Sequence, residues 1–155
     1  MNNKLLILLF PVLLAGCSSP KFSAEPISSE NQSNEITIVK DNETRDVFLQ
    51  TMKEWCLDTG HQCEVAADDT TPKAEDLTLI YSSRWSWDFR TFIADAKIKA
   101  YKNNRKVGEV EFKAPNGLNT NKFGDDSKRI ESMMSILFNQ ETIDAAQDKI
   151  SDGSI

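Results

Sequence analysis

From residue 77 to residue 112 apolar and polar positions alternate almost without a break: LTLIYSSRWSWDFRTFIADAKIKAYKNNRKVGEVEF. A period of two is the pattern of strands buried on one side, and the stretch is long enough for three of them. In the first, Leu77, Leu79, Tyr81, Trp85 and Trp87 share one face, while Thr78, Ser82, Arg84, Ser86 and Asp88 share the other. The second, over residues 91–101, turns Phe92, Ala94, Ala96, Ile98 and Ala100 inward against Asp95, Lys97 and Lys99. Asn103-Asn104 then supplies a tight turn, because asparagine tolerates the positive φ such turns need. A third strand over 106–113 returns Val110 and Phe112 to the inner face. The small residues Ala94, Ala96 and Gly108 predict that something bulky packs close above them.

The flanks complete a small fold. Residues 35–39 (EITIV) alternate and predict a strand. Over 45–59 the apolar positions Phe48, Met52, Trp55 and Cys56 fall at helical spacing, with Thr44 as candidate N-cap and Gly60 as the left-handed stop. Residues 62–67 read as a second strand, and 68–75 as a loop marked by Pro72 and charges. Residues 114–124 are a turn-rich connection. Asp125 or Asp126 then caps a helix in which Ile130, Met133, Met134 and Leu137 form an apolar stripe widened by Phe138. Beyond 139 the chain turns polar, with a weak helical signal at Ile143, Ala145 and Ala146 and a partly frayed tail over 140–155. The expectation is a two-layer α/β (α+β) sandwich: a five-stranded mixed sheet with two helices on one face, the other face polar and wet, in a single domain over 35–139.

The N-terminus adds an address. Residues 1–16, MNNKLLILLFPVLLAG, have the charged, apolar and small-residue regions of a secretory signal, too short for a membrane span. Leu14-Ala15-Gly16-Cys17 resembles the bacterial lipobox, in which the cysteine is acylated and becomes the new N-terminus. Several acyl chains on Cys17 would anchor the protein durably, and Ser18, not Asp, implies delivery to the outer membrane, on its periplasmic side. Residues 17–34, rich in Ser, Pro, Asn and Glu, read as a lipidated cysteine followed by a disordered tether. Removing 1–16 takes away Lys4 alone, leaving 17 basic and 24 acidic residues, a formal charge of −7. Such a chain does not track phosphates, so nucleic acid is excluded as a partner and the acyl chains hold the membrane. A monomer is expected.

Two cysteines remain in an oxidising compartment, Cys56 and Cys63, and predict a disulfide closing a short ring; two buried thiols are the alternative. With His61 as the one histidine, the three match no standard zinc spacing. The densest constellation is Arg84-Trp85-Ser86-Trp87-Asp88-Phe89-Arg90. Arg84, Trp85, Trp87 and Asp88 make a candidate binding surface, since Trp and Arg dominate interface hot spots. The stronger reading is that the two tryptophans, in phase with Leu77, Leu79 and Tyr81, close one end of the core and leave Arg84 and Asp88 as an exposed pair. No nucleophile elbow, zinc-protease motif or phosphate loop is present, so neither an enzyme nor a cofactor is expected.

The residues Thr44-Arg45, Phe48-Leu49, Trp85-Ser86-Trp87-Asp88, Val107-Gly108, Ala114-Pro115-x-Gly117, Lys122-Phe123 and Met133-Met134-x-x-Leu137-Phe138 resemble a family of small proteobacterial lipoproteins of unassigned function, the Sbal-type lipoproteins, across most of residues 36–138. The resemblance implies an envelope lipoprotein of mixed α/β fold and brings no catalytic or ligand residues with it. The functional expectation is a non-enzymatic outer-membrane lipoprotein that binds or supports an envelope protein or peptidoglycan. The alternative is an immunity-type inhibitor that neutralises a basic periplasmic toxin.

Overall fold

The computed structural model describes residues 19–115 and 119–155; Cys17 and the signal lie outside them. Alternation becomes a six-stranded sheet in the order β1-β6-β5-β4-β2-β3. Its strands are β1 (Lys21–Glu25), β2 (Glu35–Val39), β3 (Gln62–Ala66), β4 (Leu77–Asp88), β5 (Arg90–Lys102) and β6 (Arg105–Lys113). β4, β5 and β6 form the expected antiparallel meander, and Asn103 and Asn104 make its second turn at φ 52° and 58°. β2 joins β4 and β3 in parallel, with α1 (Asp46–Thr59) as the crossover. The helices α1, α2 (Asp126–Leu137) and α3 (Ile143–Ser151) lie over one face.

The helix-side rows of the sheet run through Ile36, Ile38, Leu77, Leu79, Tyr81, Ile98, Val110 and Phe112, all buried. Above them pack Phe48, Met52 and Trp55 from α1, and Ile130, Met133, Met134 and Leu137 from α2. Phe48 stacks on Tyr81 at 4.9 Å. Gly60 ends α1 in the left-handed conformation, φ 76°, and Asp125 caps α2 by accepting from the amide of Lys128 at 3.1 Å.

Four expectations are corrected. The tether is not a tether from Lys21 on: Lys21–Glu25 pairs with β6 as an edge strand, so the sheet has six strands, not five. Phe22 packs on Phe112 at 5.1 Å, and Ile27 is wholly buried. Ile27 is the bulky group above Gly108, where an added Cβ would meet Ile27 Cγ1 at 2.7 Å and Leu137 Cδ1 at 3.1 Å. The polar tail is likewise folded. Thr142 caps α3 through the amide of Ala145, Ala146 and Ile150 are buried, and Ile155 is 6% exposed. Gln147 of α3 donates to the carbonyl of Pro20 at 2.7 Å, so the two ends the sequence leaves loose hold each other. Thr44 does not cap α1. Its hydroxyl donates to Asp41 Oδ2 at 2.6 Å and accepts from the amide of Ser83 at 3.0 Å, fastening the helix start to β4. Finally, the register of β4 and β5 slips between Arg84 and Trp85, so Ala94 is an extra residue on β5. That bulge brings Ile93, fully buried, opposite Trp85, while Phe92 falls opposite Ser86 and meets Phe123 edge-on at 5.5 Å.

Candidate functional site

One end of the molecule is closed by covalent and aromatic contacts. Cys56 and Cys63 are bonded, with Cα atoms 6.1 Å apart, tying the end of α1 to the start of β3. His61, inside that ring, stacks on Trp55 at 4.9 Å and meets Phe138 edge-on at 5.2 Å. The Thr59 hydroxyl donates to the carbonyl of Trp55 at 2.6 Å, which leaves His61 Nδ1 to donate to Thr59 Oγ1 at 2.7 Å. Burial holds the imidazole below its usual pKa. These contacts are structural, and among the described residues no group of three or more His, Cys, Asp or Glu is placed to hold a metal ion.

The sheet face away from the helices is open and charged. Asp95, Lys97 and Lys99 of β5 face Glu109, Glu111 and Lys113 of β6 across the strands. Lys97 and Glu111 form a direct ion pair that raises the lysine's pKa and lowers the glutamate's. Lys106 bridges Glu25 at 3.3 Å and Glu109 at 3.5 Å. At one margin Glu35, Glu64 and Asp76 line a shallow acidic depression beside the edge strand β3.

The opposite end is the β4–β5 hairpin. α2 begins beside Ile93, whose amide donates to Asp126 Oδ1 at 3.1 Å, and the strands run on past that row. Burial raises the pKa of this Asp126 carboxyl. A short 3-10 turn, Thr120–Phe123, covers Phe92, and the buried Arg129 fixes that turn by donating to the carbonyls of Lys122 (2.9 Å) and Asn121. Arg129 also lies over the Phe112 ring, and burial lowers its pKa.

The four predicted residues do not converge on one spot. Arg84 lies on the open face and pairs with Asp95 at 2.5 Å, not with Asp88. Asp88 accepts instead from Lys122 at 2.5 Å. Trp85 is half-buried, donating to Ser83 Oγ at 2.8 Å beneath the Arg45 guanidinium at 4.8 Å. Trp87 does not close the core: it is 72% exposed. Beside it stands a residue absent from the candidate set. Phe89, the turn residue, is 91% exposed at φ 62°, its ring 6.2 Å from Trp87. A bulky residue at positive φ is strained, and such strain gathers at functional places. The signal in the sequence is an aromatic between Asp88 and Arg90 where the chain must reverse without Gly or Asn.

No family model matches the chain and no curated protein does, so the likeness to the Sbal-type lipoproteins gains no family assignment. Among solved structures, a minor lipoprotein from Acinetobacter baumannii is similar over 78% of this chain and 90% of its own, at 12% identity and a TM-score of 0.30. A likeness that distant carries no conclusion about this chain.

Proposed function

We propose that the chain is a non-enzymatic lipoprotein of the outer membrane, anchored through Cys17 and facing the periplasm, whose domain binds or supports an envelope protein or the cell wall. The observation that carries the reading is the signal and Leu14-Ala15-Gly16-Cys17 set directly before a disulfide-closed domain. The bond between Cys56 and Cys63 suits an oxidising compartment. The open sheet face, with its cross-strand lysines and glutamates, is the broad surface left for a partner. The test is capture of solubilised envelope proteins, or of purified sacculi, by the full chain carrying Lys97→Glu and Lys99→Glu. Loss of capture supports the reading; undiminished capture places the partner elsewhere. Retention of the protein in membranes when Cys17→Ser is introduced would count against the anchor.

The acidic margin at Glu35, Glu64 and Asp76 favours a second reading, an immunity-type inhibitor of a basic periplasmic toxin. Here the captured protein would be basic, released by salt, and lost with Glu64→Lys.

A further inference from the structure

The start of β1 and the exposed aromatic hairpin lie at the same end of the sheet. β1 is antiparallel to β6, and β6 to β5, so β1 and β5 point the same way and both begin at the tip end. One row crosses the sheet from Lys21 through Lys113 and Asp95 to Arg84. From Arg84, Phe89 stands five residues further along β4, about 17 Å at the usual strand rise. Pro20, held by Gln147, is one residue above the same row. Cys17 precedes Pro20 by three residues, a reach of at most about 11 Å. Sideways, β1 and β5 are two strand spacings apart, about 10 Å. An acyl chain on Cys17 can therefore come to nearly the level of the Trp87–Phe89 pair.

We infer that the β4–β5 tip docks on the bilayer that holds the acyl chains, with Trp87 and Phe89 seated at the lipid interface. This rests on the lipoprotein reading above. The side chains suit the role. Tryptophan favours the headgroup level, and phenylalanine the acyl boundary just below it. Arg90 gives the tip an exposed cation on a chain that is acidic overall, and in the docked pose it meets headgroup phosphates. Phe89 is held in a strained turn and presented to solvent, which packing within the domain does not require. With anchor and tip on one plane, the sheet stands on end and the open face points sideways, along the membrane plane. The partner-binding face would thus be set by docking, not by a loose tether.

The test uses the full lipidated chain reconstituted into vesicles of phosphatidylethanolamine with a minor share of phosphatidylglycerol, part of the lipid brominated near the headgroup end of the acyl chain. Trp55 is buried and Trp85 half-buried, so lipid-dependent quenching should report Trp87. We expect quenching in the parent protein and its loss in Trp87→Phe. Phe89→Gly should reduce quenching while raising the melting temperature, a combination that a purely structural Phe89 would not give. Protein that fails to float with vesicles overturns the lipoprotein reading and the docking with it. Protein that floats with Trp87 unquenched overturns the docking and leaves the anchor standing. Shielding of Trp87 only after solubilised envelope protein is added overturns the bilayer assignment in favour of a protein partner.

Discussion

Two exposed hydrophobic places lie toward opposite ends of the sheet, and their surroundings differ. Leu57, 77% exposed, sits next to the disulfide in the last turns of α1, above an end where Cys56, Trp55, His61 and Phe138 lock together. A single exposed leucine over a packed end is ordinary protein surface. Trp87 and Phe89 stand as a pair at the other end, beyond the helix layer, on a turn residue at φ 62°. The disulfide end is built for stability and the tip is built for exposure. Substitutions at the two ends should therefore have opposite signs.

The largest effect belongs to the body. Ile27→Ala removes the fully buried side chain over Gly108 and loosens the segment joining β1 to β2; urea unfolding should show a loss of about 3 kcal/mol. Opening the Cys56–Cys63 bond with Cys56→Ala and Cys63→Ala should cost about 2.5 kcal/mol by loop closure. A drop well under half of that would mean the ring adds little to this end. At the tip the sign reverses. Phe89→Gly relieves the positive φ and should raise stability by about 1 kcal/mol, read as a higher thermal midpoint. A lowered midpoint would show that the ring packs and is not merely presented.

Smaller effects sharpen the same contrast. The folded pKa of His61 lies below its usual 6.5 because of burial. The unfolded chain then takes up this proton first. Its contribution to stability is intact above pH 6.5, falls as the pH drops from there to the folded value, and is level below it. An NMR titration midpoint at or above 6.5 would contradict that. Arg84→Ala, which breaks an exposed pair with Asp95, should change stability by less than about 0.5 kcal/mol.

The meander, the Asn103-Asn104 turn, the Gly60 stop, the α2 stripe and the cysteine pair were all legible in the sequence, because each is a local signal written by period, turn chemistry or spacing. β1 was not legible. Lys21–Glu25 carries one large apolar residue, Phe22, as an edge strand with one buried side chain can. What makes it a strand is its partner β6, far away in sequence. Ile27 is a lone apolar residue among polar ones, and only Gly108 and Leu137 explain it. α3 reads as weak because Ala146 and Ile150 are nearly all it buries. The tip misled in another way. Strict alternation carried Trp87 into the core, but alternation gives the side of the sheet and not where the helix layer ends. Phe89 was hidden because its turn breaks the usual residue rule, and the breach is itself the clue.

The most direct test places spin labels at two positions on the lipidated protein in vesicles, Phe89→Cys at the tip and Leu57→Cys near the disulfide, and compares their access to oxygen and to a water-soluble nickel complex. The account predicts that the label at 89 lies within the lipid interface and the label at 57 in water. Labels equally open to nickel would contradict it, leaving a domain that is tied to the membrane without resting on it.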